Sequence, residues 1–301
     1  MLPPAALANF GSGFDCIGMA FKLYNHLWVE EYSMSGDESL VIETKNGGEF
    51  VPLDKTNLIY KSIVRFYGEV GIRKPVPSIK LTQDDAIPLT RGLGSSAACI
   101  AAGLLAANAL SNANLPRDQI CYLAAKIEGH PDNSTPALVG GLTVGVVASD
   151  KLEYIKIESD KLKELKFAAL IPEFFLLTEK SRGALPEQIP LKDAVFNISR
   201  AALLAAALSQ GDFSKLSTAC DDALHQPYRM QLVPNMTAIF NKAYKLGAKA
   251  VFLSGAGPTI MTVYQNDTFL TGMGEYLENL PNAWTLNPLE ADYDGAIVEK
   301  I

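Results

Sequence analysis

Residues 87–105 read IPLTRGLGSSAACIAAGLL, and the rest of the chain is best understood outward from this stretch. Gly92 and Gly94 stand just before Ser95 and Ser96, and Ala97, Ala98, Ala101, Ala102 and Gly103 follow at spacings that suit a closely packed helix. The first N–H groups of a helix lack internal partners and lie at the positive end of its dipole, so a glycine loop opening a helix can cradle a phosphate. Glycine lets the backbone approach such an anion closely. The Walker pattern is excluded because Gly94 is followed directly by Ser95, with no lysine. Gly92-x-Gly94-x-x-Ala97 has the dinucleotide spacing, but that loop must leave a buried strand, and the preceding DDAIPLTR is charged and broken by Pro88. A plain Gly-Ser cap on an alanine-rich core helix stays open beside the phosphate cradle.

At 301 residues the chain has room for two modest domains sharing a cleft, or one large one. The net charge is −7 and no Lys/Arg run exceeds two residues, which argues against nucleic acid or an anionic membrane as partner. Cys16, Cys99, Cys121 and Cys220 form no C-x-x-C pair and read as reduced, buried thiols of a cytoplasmic protein. His26, His130 and His225 are too few and too scattered for a zinc site. The opening MLPPAALANFGSGFD lacks the features of a signal peptide, and the apolar helices are too short to span a bilayer.

A second glycine element, Asn9-Phe-Gly11-Ser-Gly13-Phe-Asp15, either brings the Asp15 carboxylate to a ligand or forms a surface turn. FKLYNHLWVEEYS (21–33) alternates as one strand, SLVIETK (39–45) is another, and NGG (46–48) reads as a turn. DKTNLIYKSIVRFYGEVG (54–71) is an amphipathic helix capped near Asp54 or Thr56, and SIKLTQD (78–84) is a strand leading to the central loop. Pro116 opens a helix that runs to the polar cluster Glu128, His130, Asp132 and Asn133, which is either a site or a solvated loop. GGLTVGVVASDKLEYIKIES (140–159) is a hairpin turning at residues 149–151, and the domain boundary falls after it, giving domains 1–159 and 160–301.

In the second domain FAALIPEF (167–174) is a strand, and PLKDAVFNISRAALLAAALSQG (190–211) is a long helix closed by Gly211. A further helix ends in HQPYR (225–229), and PNMTAIFNKAYKLG (234–247) is another. The third glycine loop, Gly255-Ala-Gly257-Pro258, bends between two apolar strands, as a hairpin would. The mixed order of helices and strands argues for α+β.

The three glycine elements together resemble the motifs of the GHMP kinase superfamily, over nearly the whole chain: PPAALANFGSGFD (3–15), PLTRGLGSSAA (88–98) and LSGAGPTIMTV (253–263). Within it GFDCIGMAF (13–21), EGHPDNSTPALVGG (128–141), TEKSRGALP (178–186) and HQPYRMQLVP (225–234) are similar to the branch that phosphorylates homoserine. The resemblance implies a ribosomal-S5-like N-terminal domain, a ferredoxin-like C-terminal domain, and ATP with Mg²⁺ in the cleft between them. It implies that Gly92, Gly94, Ser95 and Ser96 cradle the triphosphate, that Pro88, Leu89, Arg91 and Leu93 also bind ATP, that Asn57 lies near the adenine, and that Gly255 and Gly257 close the cleft. Ser96 and Glu128 would be the magnesium ligands.

For an amino-acid acceptor, Arg182 and Arg229 suit the carboxylate and Asp15 the ammonium, while Asn9, Asn133, His130 and Thr178 would hold the hydroxyl in line. Asn133 stands where other superfamily members carry an aspartate base, and an amide takes no proton. The expected chemistry is therefore direct attack by the homoserine hydroxyl, with Asn133, Arg182 and Thr178 as the reaction-side residues. A homodimer is a further family expectation. The chain departs from the family pattern at Ala6, Leu7 and Ser12, which replace threonine, serine and proline, and at Gln226, which replaces an acid. These changes keep two alternatives in view: a kinase for another carboxylate-bearing alcohol, or a non-catalytic nucleotide or amino-acid sensor.

Overall fold

A computed structural model describes residues 1–32, 40–45 and 51–300; the turn expected at 46–48 lies outside the described residues. The first half supplies strands β1 (Pro4–Leu7), β2 (Ile17–Tyr24), β3 (His26–Glu31), β4 (Leu40–Thr44), β5 (Ile79–Asp84), β6 (Leu142–Val147) and β7 (Leu152–Ile157). Its helices are α1 (Leu58–Glu69), α2 (Ser95–Ser111), α3 (Arg117–Glu128) and α4 (Ser134–Val139). One sheet has the order β1-β2-β6-β7 and is antiparallel throughout. The other, β3-β5-β4, contains a single parallel pair, β4 with β5. That pair, with α1 between its strands, is a lone βαβ unit among the described residues, not the repeated series that a dinucleotide fold requires.

The second half contains β8 (Lys166–Pro172), α5 (Thr178–Gly183), α6 (Leu191–Gln210), α7 (Leu216–Ala219), α8 (Gln226–Arg229), α9 (Met236–Lys245), β9 (Ala250–Leu253), β10 (Ile260–Tyr264), α10 (Thr268–Glu278) and β11 (Trp284–Leu289). Its antiparallel sheet runs β11-β8-β10-β9. The tail then returns to the first half, where Ile297 bridges Leu2 and the Asp292 N–H donates to Ala20 O at 2.9 Å.

Three expectations are corrected. The single strand expected from residue 21 onward is instead β2 and β3, in different sheets, because Asn25 is buried and turns its Oδ1 to the Ile87 N–H (2.9 Å), so the chain changes sheets at that residue. The cap of α1 is Asn57, whose Oδ1 accepts the N–H groups of Ile59 and Tyr60, while Asp54 is spent on Thr56. HQPYR starts α8 instead of ending a helix, since the Asp222 carboxylate takes the N–H groups of Leu224, His225 and Gln226 and nucleates the turn there.

The alanines of α2 let it sit in the middle of the first half. Gly103 is required there because a Cβ would lie 2.5 Å from Ile59 O, the point where α1 crosses. Between the two halves runs a shared core in which Phe10 packs on Phe252 (ring centroids 4.7 Å) and Phe21 on Phe167 (5.2 Å). That core seats the first glycine element directly against the second half.

Candidate active site

Helix α2 begins at Ser95 with Gly94 as its N-cap, at φ +73° and with no side chain capping it. Its first N–H groups are therefore left for a ligand. The glycines are forced by crowding as much as by backbone angle. A Cβ on Gly94 would lie 2.5 Å from Ala6 O in β1, and one on Gly92 (φ +78°) 2.4 Å from Ser254 O in the third glycine loop. The Ala6 N–H donates to Leu93 O (3.3 Å), the Ser254 hydroxyl to Gly92 O (2.5 Å), and the Gly255 N–H to Ala8 O (3.0 Å). All three glycine elements thus meet at one point.

They border a cavity of about 620 Å³, a volume suited to a small-molecule site. Its walls contain Asn9, Asp15, Asn57, Pro88, Leu89, Arg91, Gly92, Leu93, Gly94, Ser95, Ser96, Glu128, His130, Asn133, Thr178, Arg182, Arg229 and Gly255. Of the expected site residues only Gly257 is not part of the wall; it lies behind Gly92, whose added Cβ would come within 2.9 Å of Gly257 O. Asp132, part of the polar cluster noted in the sequence, also faces the cavity; Gln83 and Asp85 do so too and escaped the sequence reading, although they sit in the charged run just before the central loop.

At one end the charges are paired. Arg182 on α5 forks onto Asp15 with bonds of 2.9 and 3.3 Å, and the Asp15 N–H donates to Asn9 Oδ1 (2.9 Å). Burial opposes the charge on Arg182, but the Asp15 carboxylate outweighs it and raises the guanidinium pKa. Arg229 on α8 is 1% exposed and donates to Ser181 O, Gly255 O and His225 Nδ1. Burial, followed by the nearby Arg182 cation, pulls its pKa down to about 10. His225 stacks on Phe14 (5.0 Å), and burial drives its pKa to about 4, so it is a neutral acceptor for Arg229 near pH 7. Gln226, in the place of the family's acid, is buried and accepts the Leu253 N–H at 2.9 Å, an arrangement that needs no charge.

The loop between α3 and α4 holds the rest. Asp132 is buried, with Oδ2 accepting the Asn9 N–H (3.0 Å) and Oδ1 bonded to His130 Nδ1 (2.5 Å). Burial works against a charged His130, but the bond to Asp132 wins and raises its pKa. Burial pushes the Glu128 carboxyl up to about 7, with His130 opposing and Asp132 reinforcing that rise. Among the described residues, Glu128 Oε2, Asn133 Oδ1 and the Ser95 hydroxyl are buried with no hydrogen-bond partner. Such orphans are costly unless a ligand completes them.

Three wall residues are already committed to the fold. Asn9 Nδ2 donates to Gly255 O (2.9 Å), so both ends of its amide tie the first motif to its surroundings. Asn57 is spent on capping α1 and on Pro52 and Gln83. Arg91 donates to the carbonyls of Pro172, Glu173 and Phe174 and lies over Phe175, so its guanidinium clamps the central loop to the end of β8.

The family models of the GHMP kinases N-terminal domain and the GHMP kinases C-terminal domain match residues 57–141 and 203–269. The chain belongs to the GHMP kinase family. Within it, the chain is 45% identical to a homoserine kinase of Caldicellulosiruptor saccharolyticus, over 98% of this chain and 94% of that one. The crystal structure of homoserine kinase from Cytophaga hutchinsonii superposes with a TM-score of 0.84 at 26% identity, covering 98% of this chain and 95% of the other. Mevalonate kinase of L. major, at 16% identity, shares the fold (TM-score 0.72, covering 98% and 96%). No helix among the described residues is long and apolar enough to cross a membrane.

Proposed function

We propose that this protein transfers the γ-phosphoryl group of ATP to the hydroxyl of L-homoserine, giving O-phospho-L-homoserine in threonine biosynthesis. The observation that carries this reading is one cavity joining an uncapped helix N-terminus to two arginines and an aspartate. The helix end suits a triphosphate. The paired Asp15 and Arg182, with Arg229 beside them, suit the two opposite charges of an amino acid, whose ammonium meets Asp15 while its carboxylate takes the guanidinium groups.

The acceptor hydroxyl would donate to the orphaned Asn133 Oδ1, held there with Thr178 and His130 at the wall. Its oxygen attacks the γ-phosphorus, the bond to the β–γ bridging oxygen breaks, and the hydroxyl proton passes to phosphate or water. No dedicated base is invoked: Asn133 cannot take a proton, and both oxygens of Asp132 are turned to Asn9 and His130. A loose phosphoryl-transfer transition state needs positioning and charge stabilisation more than proton removal. Ser96, exposed to the cavity at the second position of α2, and Glu128 with its unpartnered Oε2, fit a magnesium ion and would hold it. When bound, that ion neutralises phosphate charge.

The cytoplasmic setting is supported by four free cysteines. The family's homodimer is supported by the exposed apolar stripe Leu191, Val195 and Ile198 on α6. The functional test is product identification: protein, Mg-ATP and L-homoserine should give a phosphate monoester on the side-chain oxygen by ³¹P NMR and mass spectrometry. ADP without that ester would contradict the proposal.

A further inference from the structure

Near Val51, Pro52 and Leu58 the cavity wall carries a polar relay that the acceptor site does not use. Its direction is set by α1. Asn57 Oδ1 accepts from the Ile59 and Tyr60 N–H groups (2.9 and 3.4 Å), so Nδ2 faces the other way and donates to Pro52 O (2.9 Å) and Gln83 Oε1 (2.8 Å). Gln83 is buried, and because its Oε1 accepts from Asn57, its Nε2 is turned to Asp85 Oδ2 at 3.4 Å. The cap of a helix thereby orients two amides in series and ends on a carboxylate. Asp85 is half-buried at the cavity wall, burial pushes its carboxyl up, and its Oδ1 makes no hydrogen bond among the described residues.

The inference rests on the ATP reading above. The acceptor residues form a network through Asp15, Asn9, Asp132 and His130, and the relay through Asn57, Gln83 and Asp85 shares no residue with it. In-line transfer puts the acceptor beyond the γ-phosphate, so the nucleoside belongs on the remaining side, where Val51, Pro52 and Leu58 offer apolar surface to a ring. We propose that Asp85 reads the 6-position of the purine, accepting from the exocyclic amine of adenine and rejecting a 6-keto purine, whose oxygen would face a carboxylate with no proton to share. A site built around one donor–acceptor match discriminates strongly against the analogue that lacks it.

The experiment compares ATP with ITP, which carries the 6-keto group without the extra 2-amino group of GTP, using titration calorimetry with magnesium and steady-state kinetics with homoserine. The wild type is expected to prefer ATP by about tenfold or more, the size of one charge-assisted hydrogen bond. In Asp85→Asn the Gln83 donor forces the new amide to turn its oxygen inward, leaving its nitrogen to donate to the purine. That variant, whose amide oxygen keeps the Gln83 bond, should invert the ratio in favour of ITP with an unchanged melting curve, and Asp85→Ala should lose the preference without inverting it. If both variants keep the wild-type ATP:ITP ratio, Asp85 does not read the base, and the kinase reading stands. If the wild type binds neither nucleotide, both readings fall.

Discussion

Replacing Arg229 by methionine separates what this side chain does for the fold from what it does for the acceptor. The guanidinium is 1% exposed, and burial first and then the Arg182 charge pull its pKa down to about 10 from the ordinary arginine value. Since the folded value lies below the unfolded one, the protein bears the full cost of that buried cation at neutral pH and sheds it only as pH rises above about 10. The cost is about 3 kcal/mol. Against it stand the hydrogen bonds to Ser181 O, Gly255 O and His225 Nδ1. At about 1 to 1.5 kcal/mol each they come to a similar sum. Arg229→Met relieves the first and forfeits the second, so its stability in urea denaturation should lie within about 1–2 kcal/mol of the parent. Binding should behave otherwise. A charge-assisted contact to a carboxylate is worth about 1.5–3 kcal/mol, so homoserine KM should rise about 10- to 150-fold while the KM for ATP holds. The assay is coupled ADP release with homoserine varied at saturating ATP. A variant destabilised by more than about 4 kcal/mol, with homoserine KM unchanged, would refute the reasoning and make Arg229 a structural cation.

Gly94→Ala forces a left-handed alanine with its Cβ 2.5 Å from Ala6 O, so it should lose about 1–3 kcal/mol of stability and weaken ATP more than homoserine; unchanged nucleotide titrations would contradict that. Asn133→Ala removes the orphaned Oδ1 and should impair homoserine use with ATP binding intact, and unchanged kinetics would remove the residue from the site. The pH dependence has a definite sign at His225, whose folded pKa of about 4 lies below the ordinary 6.5. Its contribution to stability is complete above pH 6.5 and is lost as pH falls toward 4, because the unfolded chain takes up the proton first. Melting temperature against pH should decline across that window, and less steeply in His225→Gln.

The glycine elements were legible because their chemistry is local: a loop that must approach a phosphate or cross another backbone leaves glycine in the sequence, as at Gly92 and Gly94. The Arg182 and Arg229 pair was legible through family resemblance alone, since either arginine by itself reads as a surface charge. Long-range commitments were hidden. Nothing near Asn57 signals that Gln83, 26 residues away, fixes its amide, or that Asn9 spends its side chain on Gly255. The change of sheet at Asn25 was invisible for the same reason, as its partner is the Ile87 N–H. Alternating hydrophobicity continues smoothly through that residue, and only the tertiary partner reveals the break.

The central claim is tested most directly by ADP release from Mg-ATP with purified protein and separate acceptors: L-homoserine, mevalonate, galactose and none. Release above the blank with homoserine alone is the predicted result. Release with another acceptor and not with homoserine would keep the phosphate cradle and contradict the assignment of Asp15, Arg182 and Arg229 to an amino acid. ATP binding without ADP release from any of them would contradict the kinase itself.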